Sequence, residues 1–434
     1  MSTNGAGRQT LAILVGGGPA PGINGVIASA TIEAANRGLR VLGLIDGYRW
    51  LVQGETSHVV ELGIRDVSRI HNTGGSILGT SRTNPADKPE MLENAVKALL
   101  ELGVRYLVCI GGDDTTYGAA KLAEHAGARI GVATVPKTID NDLPLPENAP
   151  TFGFESARAA GTAIIEPLME DARTTGRWYF AITMGRRSGA LALGMCKSAG
   201  ATLAIIPEEF RTEKLDPHMV ADTLVGAIIK RRASGRDNGV AIIAEGIGER
   251  LDPEKMPSIK ELERDSYGQI HLSDLPLGAL LRERVRSSLM DLGLDTTIVS
   301  KDIGYELRCA RPSPFDIEYT RTLGYGAVRY LMKGGSGALI AITGGRITPV
   351  SLEQLQDKKT GRIRVRTVDV ATESYQVARS YMIRLEASDL GGESLARLAA
   401  VTTLSPQGFH DRFMPAVLST VSVPLHDASS ASEV

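Results

Sequence analysis

Short apolar runs alternate with longer segments of helical periodicity along the first third of the chain. Four apolar runs predict strands, and three periodic segments between them predict helices. The strands are at 11–15, 39–45, 106–110 and 130–135, and the helices are at 23–37, 90–102 and 116–126. Such alternation is typical of a parallel sheet that helices cover on both faces.

The same alternation resumes near residue 159 and indicates a second unit of the same kind. Its predicted helices are at 159–173, 188–199 and 216–233, and its predicted strands are at 179–183, 202–206 and 239–244. We therefore predict an α/β fold with two doubly wound, Rossmann-like lobes whose sheets are mostly parallel. Polar, irregular composition predicts a surface excursion over 249–275 and a disordered tail over 425–434.

The charge balance argues against binding driven by a global electric field. The 434 residues include 48 lysines and arginines against 50 aspartates and glutamates, which gives a net charge of -2. An anionic ligand must therefore meet a local cluster of positive groups. We expect neither nucleic acid nor a membrane as a partner.

The apolar runs and the cysteines favour a cytoplasmic protein. No run approaches the roughly 18 to 20 consecutive apolar residues of a membrane span, and the polar first ten residues lack the apolar core of a signal peptide. Cys109, Cys196 and Cys309 are far apart and lack metal-ligand spacing. We expect reduced thiols.

A glycine-rich loop follows the first predicted strand, at the edge of the sheet where open parallel sheets bind ligands. The sequence GGGPAPG at 16–22 precedes a predicted helix, so bare backbone amides and a helix N-terminus can hold a phosphate there. It is neither a Walker A loop nor a dinucleotide fingerprint. A turn of this composition is also often only structural.

Two further loops after predicted strands carry carboxylates. GGDDTT at 111–116 places Asp113 and Asp114 at a helix start, where acids also simply cap a helix and complement its dipole. Beside a phosphate loop, Asp113 is a candidate for holding Mg²⁺ through water. In PKTIDND at 136–142, Asp140 and Asp142 point to one side if the loop stays extended, so one carboxylate can take a proton while the other holds geometry or metal. A turn rich in Asp and Asn is the alternative explanation.

The order of these motifs resembles the phosphofructokinase family. The matching segments are Gly17-Gly18, GSILGTSR at 75–82, GGDDT at 111–115, PKTIDND at 136–142, MGR at 184–186 and AEG at 244–246. The resemblance covers about residues 10 to 340, and no motif matches beyond about 345. It implies an active site in the cleft between the lobes. The implied donor-binding lobe is 1–154 with about 305–360, and the implied sugar-phosphate-binding lobe is 155–304 with about 361–424.

The resemblance also implies the catalytic residues. Asp140 would take the proton from the 1-hydroxyl of fructose 6-phosphate, and Asp142 would support it. Lys137 and Thr138 belong to the same motif and are included among the catalytic residues.

On the donor side, the resemblance implies Mg²⁺ at Asp113 and the phosphoryl donor at Gly17 and Arg82. ATP-using members commonly have glycine at the positions of Asp114 and Lys137. A carboxylate at 114 adds bulk and negative charge where the α-phosphate of a nucleotide would lie. The Lys137 ammonium suits a small, highly charged diphosphate. The pattern therefore resembles the pyrophosphate-dependent members, which are expected to run reversibly.

On the sugar side, the resemblance implies a larger set of contacts. The set comprises Met184, Gly185, Arg186, Glu245 and an arginine cluster, containing Arg177 and Arg308, that neighbouring subunits complete around the 6-phosphate. Tyr305 occupies a position where the common ATP-using pattern has histidine. Lys301 lies one helical turn before Tyr305 by sequence spacing and is a further candidate phosphate contact, with a solvated lysine as the alternative.

Two rival functions remain open from the sequence. One is an ATP-dependent 6-phosphofructokinase, and the other is a catalytically silent regulatory subunit, whose expected signature is loss of the loop acids. Because Asp113, Asp140 and Asp142 are all present, the sequence favours an active enzyme. Shared arginine clusters favour a homodimer or homotetramer. Use of sedoheptulose 7-phosphate also stays open.

Overall fold

The computed structural model describes residues 8–255 and 275–421. Its strands are β1 Thr10–Val15, β2 Arg40–Leu44, β3 Val59–Glu61, β4 Val104–Gly111, β5 Gly131–Thr138, β6 Phe152–Gly153, β7 Trp178–Thr183, β8 Leu203–Ile205, β9 Gly239–Ala244, β10 Ile298–Ile303, β11 Ala338–Thr343 and β12 Arg346–Ser351. Most of the predicted surface excursion and all of the predicted tail lie outside the described residues.

The described α-helices range from one turn to six. They are α1 Ile23–Asn36, α2 Ile64–Val67, α3 Pro89–Glu101, α4 Asp113–Ala126, α5 Phe154–Thr175, α6 Ala190–Ala199, α7 Pro217–Ala233, α8 Gly246–Arg250, α9 Leu277–Asp291, α10 Tyr305–Arg308, α11 Pro314–Met332, α12 Leu352–Leu355, α13 Glu373–Tyr381, α14 Gly392–Ala399 and α15 Pro406–Ser419. None of these helices has the length and apolar composition that crossing a membrane requires.

The first of two compact units comprises Met1–Ala160 and Gly304–Arg366. Its sheet has the strand order β12-β11-β5-β4-β1-β2-β3, with β6 beside β5. The pairs β2–β3 and β11–β12 are antiparallel, and the other pairs are parallel. The central strands β1, β4 and β5 therefore end at the same edge of the sheet.

Helices cover both faces of this sheet because alternate side chains of each strand point in opposite directions. In β1, Leu11, Ile13 and Val15 pack in a core that contains residues of α1 and α11. Ala12 and Leu14 pack in a second core that contains residues of α3 and α4. All six residues of β1 are buried, which explains its continuous apolar run.

The second unit comprises Gly161–Ile303 and Thr367–Val434. Its four strands are all parallel, in the order β10-β7-β9-β8. The segment after residue 367 belongs to this unit and is anchored by a buried ion pair, in which Arg384 lies 2.7 Å from Glu209. The Tyr375 hydroxyl donates to the same carboxylate at 2.8 Å. The predicted α/β fold with mostly parallel sheets is thus confirmed.

Candidate active site

The glycine-rich loop leaves β1 beside the end of β4. The Gly16 amide donates to the Ile110 carbonyl at 2.9 Å, and the Gly17 amide donates to the Ser81 carbonyl at 2.8 Å. The Thr80 hydroxyl donates to the Gly17 carbonyl at 2.5 Å. Gly17 has φ +77°, a conformation that favours glycine. The GSILGTSR segment therefore fixes the turn of this loop, and Arg82 follows the anchoring serine with an exposed side chain.

Two cationic side chains lie against the same loop. The Lys137 ammonium donates to the Gly18 carbonyl, and a Cβ added to Gly17 would lie 3.2 Å from the Lys137 nitrogen. A Cβ added to Gly18 would overlap the guanidinium of Arg308. The absence of a side chain at both positions therefore permits the close approach of these cations. Lys137 lies within β5, rather than beyond the strand as its motif suggested, and is 5% exposed.

Arg308 belongs to a small group of charged residues in the first unit. Burial lowers the pKa of its guanidinium, and the charge of Arg82 lowers it further, whereas Tyr305 and Asp140 oppose the shift. The Arg308 guanidinium carbon lies 5.5 Å from the centre of the Tyr305 ring. Tyr305 itself is 65% exposed. The structure therefore brings Arg308 to the glycine-rich loop and to the neighbourhood of Asp140, and the Tyr305 ring lies beside Arg308.

The acidic loop forms the start of α4. Asp113 and Asp114 are the first two residues after the N-cap Gly112, so both carboxylates also complement the helix dipole. The helix begins three residues before the predicted start. Asp114 is exposed, and Arg362 lies 3.5 Å from its carboxylate. Among the described residues there is no group of three or more His, Cys, Asp or Glu side chains that could hold a metal by themselves.

The third loop starts at the end of β5 and turns sharply. The Asp140 amide donates to the Thr138 hydroxyl at 3.0 Å. Asn141 has φ +56°, so the loop is not extended and the prediction that the two aspartates point to one side is not supported. Asp142 is 7% exposed, whereas Asp140 is only partly buried. The two carboxylates therefore occupy different environments, with Asp140 the more accessible one.

The three loops leave one edge of the sheet on neighbouring strands. Val15 of β1 pairs with Ile110 of β4, and Gly111 of β4 pairs with Pro136 of β5. Neighbouring strands are separated by about 4.8 Å, so the loops are close enough to contact one ligand. The arrangement offers backbone amides, ammonium and guanidinium charge, and carboxylates to that ligand.

In the second unit, one carboxylate organises the MGR motif. Glu245 follows β9, and its Oε1 accepts from the amides of Gly185 at 3.1 Å and Arg186 at 2.9 Å. Arg186 has φ +48°, so these two bonds hold a strained turn. Met184 follows β7, and its amide donates to the Ile303 carbonyl at 3.2 Å. The four residues predicted to bind the sugar thus lie together at the carboxyl ends of β7 and β9.

Besides Arg308 and Tyr305, which belong to the first unit, two predicted sugar-phosphate residues of the second unit are not placed with that group. Arg177 precedes β7, and a strand of six residues separates it from Met184 by about 20 Å. Its guanidinium instead lies 3.9 Å from Asp171. Lys301 lies within β10, opposite Ala181 of β7, so the predicted helical turn between Lys301 and Tyr305 is wrong. The β-branched residues Ile298, Val299 and Ile303 explain this, because such residues favour strands.

Two arginines near these loops belong to none of the motifs that the sequence presents. Arg362 lies beside Asp114, and Arg366 donates to the loop that contains Asp140 and Asp142. Both belong to GRIRVRT at 361–367, where arginine alternates with apolar residues. A period of two is typical of an extended segment with one polar face, and that signal was available. The sequence did not indicate which loops these arginines would contact.

Comparison with known proteins agrees with the motifs. The family model described as "Phosphofructokinase" matches residues 10–331. The chain is 53% identical over 411 residues to the pyrophosphate--fructose 6-phosphate 1-phosphotransferase of Thermotoga maritima, covering 93% of this chain and 98% of the relative. It is 48% identical over 414 residues to the protein of the same name from Naegleria fowleri, covering 93% and 95% of the two chains.

A solved structure shows the same fold at much lower identity. The pyrophosphate-dependent phosphofructokinase from Nitrosospira multiformis superimposes with a TM-score of 0.65 at 16% sequence identity, covering 91% of each chain. The family model spans well over half of this chain and includes all three loops of the first unit and the MGR motif of the second. The chain therefore belongs to the phosphofructokinase family.

Proposed function

We propose that this protein catalyses reversible, Mg²⁺-dependent phosphoryl transfer from pyrophosphate to the 1-hydroxyl of fructose 6-phosphate. The products are fructose 1,6-bisphosphate and phosphate. One observation carries the proposal: three loops on neighbouring strands combine a glycine-rich anion site, the Lys137 ammonium and the Asp140 carboxylate. The names of relatives at 53% and 48% identity support the same reaction.

The donor side is suited to a small, highly charged diphosphate. The transferred phosphoryl group spreads negative charge over its oxygens, so catalysis depends on positioning and on fixed positive charge. Lys137 lies against the Gly17–Gly18 turn and supplies that charge beside backbone amides, together with the exposed Arg82, the other predicted donor contact. Lys137 is held by the Gly18 carbonyl, so its ammonium needs little reorganisation when the donor binds.

On the acceptor side, Asp140 is the general base. Its carboxylate accepts the proton of the 1-hydroxyl as that oxygen attacks the phosphoryl group, and the Thr138 hydroxyl fixes the backbone of the loop through the Asp140 amide. The buried Asp142 maintains the negative potential of the loop and supports the turn. Because a phosphate ester and pyrophosphate have similar transfer free energies, the same groups serve the reverse reaction.

Asp113 would hold the Mg²⁺ ion. Mg²⁺ is commonly bound through one or two carboxylates, with waters and substrate phosphates completing its octahedron. Asp113 is half-buried at the start of α4, which follows the strand that pairs with β1, and it fits that requirement. When bound, the ion would neutralise charge on the diphosphate.

The sugar phosphate would be held by the second unit. Met184, Gly185, Arg186 and Glu245 form the expected sugar contacts. Arg177, at the opposite end of β7, would act on the site of a second copy, so the proposal includes a homodimer or homotetramer. Arg308 completes the predicted arginine cluster, Lys301 stays a predicted contact, and a cytoplasmic location is part of the proposal.

Removing the Glu245 carboxylate is expected to weaken sugar binding. Glu245→Ala leaves the amides of Gly185 and Arg186 without their acceptor and relaxes the strained turn. We expect KM for fructose 6-phosphate to rise about tenfold, since such a loss costs roughly 1 to 3 kcal/mol. The change in kcat should be smaller. Steady-state kinetics with saturating pyrophosphate would measure both.

The matched control is Glu249→Ala, which removes a nearby acid that lies 3.4 Å from Arg187. We expect that variant to keep its KM for fructose 6-phosphate. Equal KM values for Glu245→Ala and the unmodified enzyme would contradict the assignment of Glu245.

The direct test of the function compares phosphoryl donors. Purified protein is supplied with fructose 6-phosphate and Mg²⁺, and turnover is measured with pyrophosphate and with ATP at equal concentrations. Turnover with pyrophosphate that greatly exceeds turnover with ATP supports the proposal. A preference for ATP would support the ATP-dependent alternative. Folded protein that is inactive with both donors would support the silent-subunit alternative.

A further inference from the structure

Arg366 lies outside the family-matched region and binds two separate points of the catalytic loop, the loop 139–151 that contains Asp140 and Asp142. The Arg366 amide donates to the Asp142 carbonyl at 2.6 Å, and its Nε donates to the Asn141 carbonyl at 2.9 Å. Its Nη1 donates to the Ala149 carbonyl at 2.8 Å, and its Nη2 donates to the Asn141 side-chain oxygen. Arg366 therefore makes four hydrogen bonds to the segment 141–149.

The residue at the centre of these contacts has an unusual backbone conformation. Asn141 has φ +56°, a left-handed conformation that is uncommon outside glycine but that asparagine adopts more readily than most residues, and it separates Asp140 from Asp142. Its side-chain oxygen also accepts from the Thr151 amide at 3.1 Å. A strained conformation persists only where surrounding contacts determine it, and here Arg366 supplies most of the contacts that come from outside the loop.

The charge of Arg366 also suits this position. Burial lowers the pKa of its guanidinium, and the Asp142 carboxylate opposes that shift. The guanidinium is planar and carries donors in a fixed fork, which matches three acceptors at different points of one loop. A lysine at this position cannot reproduce that geometry.

We propose that Arg366 is a positioning residue that holds the Asn141 turn and thereby fixes the Asp140 carboxylate against the acceptor hydroxyl. This inference rests on the proposed function for its catalytic consequence. The structural part of the inference, that Arg366 keeps the loop 139–151 in one conformation, does not depend on the reaction. Arg366 is also the last residue of the first unit, so the loop is held by the segment through which the chain leaves that unit.

The chain offers a matched control two residues earlier. Arg364 belongs to the same extended segment, but its side chain donates to the Gln354 carbonyl at 2.9 Å and its amide donates to the Leu355 carbonyl. Arg364→Ala therefore removes an arginine of the same segment while leaving the bonds to the catalytic loop in place. We expect this variant to have the kinetics of the unmodified enzyme.

The kinetic test compares Arg366→Ala, Arg366→Lys and Arg364→Ala. For Arg366→Ala we expect kcat to fall about 10- to 100-fold, because small displacements of a reacting group have effects of that size. The KM values for both substrates should change by less than about threefold, because the contacts that bind each substrate equally in the ground state and the transition state are retained. Arg366→Lys should recover only part of the lost kcat. Added guanidinium ion, at concentrations below those that unfold the protein, should partly restore Arg366→Ala and leave Arg364→Ala unaffected.

A second measurement reports loop order without reference to activity. Hydrogen exchange followed by mass spectrometry compares peptides covering 139–151 with peptides covering β1. We expect Arg366→Ala to accelerate exchange in 139–151 alone. Unchanged exchange in that loop, or equal acceleration throughout the protein, would overturn the inference. So would kcat equal to that of the unmodified enzyme.

The two measurements separate this inference from the proposed function. If the unmodified protein is inactive with both pyrophosphate and ATP, the proposed function fails, and hydrogen exchange alone decides whether Arg366 orders the loop. If the unmodified enzyme is active and Arg366→Ala retains full kcat, the positioning role fails while the proposed function stands.

Discussion

Asp140→Asn is expected to lower kcat by about 10²- to 10⁴-fold, the contribution typical of a positioned general base. The amide keeps the size of the side chain but cannot accept the proton of the attacking hydroxyl. Asp140 is the partly accessible carboxylate of its loop, and its amide is fixed by the Thr138 hydroxyl. Because binding does not require proton transfer, KM for fructose 6-phosphate should change by less than about threefold.

The control for Asp140→Asn is Glu147→Gln, the same chemical change at an exposed position of the same loop. We expect it to have unmodified kinetics. Single-turnover measurements with pyrophosphate would show whether the chemical step itself is slowed. Near-normal turnover of Asp140→Asn in that assay would show that Asp140 is not the general base and would make Asp142 the next candidate.

Asp114→Gly is expected to raise kcat/KM for ATP by about 10- to 100-fold. At an effective dielectric constant of about 20, two like charges about 5 Å apart repel by roughly 3 kcal/mol, which corresponds to about 100-fold. The lower end of the expected range, a 10-fold gain in kcat/KM, allows for Arg362, which lies 3.5 Å from the Asp114 carboxylate and offsets part of its charge. The carboxylate is exposed and therefore able to meet an incoming nucleotide.

The double variant Asp114→Gly/Lys137→Gly extends this test, because both positions differ from the common ATP-using pattern. Lys137 is buried against the glycine-rich loop, so its loss should lower kcat/KM for pyrophosphate as well. Asp114→Ala separates the effect of charge from the weaker helix propensity of glycine. Unchanged ATP kinetics in Asp114→Ala, Asp114→Gly and the double variant would show that donor choice lies elsewhere.

Glu124→Gly is the matched control for Asp114→Gly. It removes an exposed acid from the last turn of the same helix, about 15 Å along the axis from position 114. It changes the net charge by the same amount and also introduces glycine into the helix, but it leaves the loop at 111–116 unchanged. We expect no gain in ATP use from this variant.

The strands and loops that form the site could be predicted from the sequence. Continuous apolar runs such as 11–15 report burial on both faces, and a strand that is followed by glycine or aspartate identifies its ligand-binding end. Asp113, Asp114 and Asp140 were selected as candidates in this way, because strand and loop are adjacent in the chain. The motif order was also sufficient to predict the family that the family model confirms.

Local conformation was less well predicted where a single residue changes the direction of the backbone. The left-handed Asn141 placed Asp140 and Asp142 in different environments, although their spacing suggested a shared one. Lys301 was assigned to a helical turn from its spacing to Tyr305, but the strand β10 ends between them. Spacing gives a direction only when the secondary structure is known, because strands and helices have different periods.

The sequence by itself determined the parallel α/β architecture, the three loops and the difference from the ATP-using pattern at Asp114 and Lys137. Only the tertiary structure decided that Lys137 and Arg308 lie against the glycine-rich loop and that Arg366 binds the turn at Asn141. The last contact joins residues that are 225 positions apart in the chain. Periodicity reports the burial of each segment but carries no information about which distant segment covers it, so such contacts arise only when the sheets and helices pack.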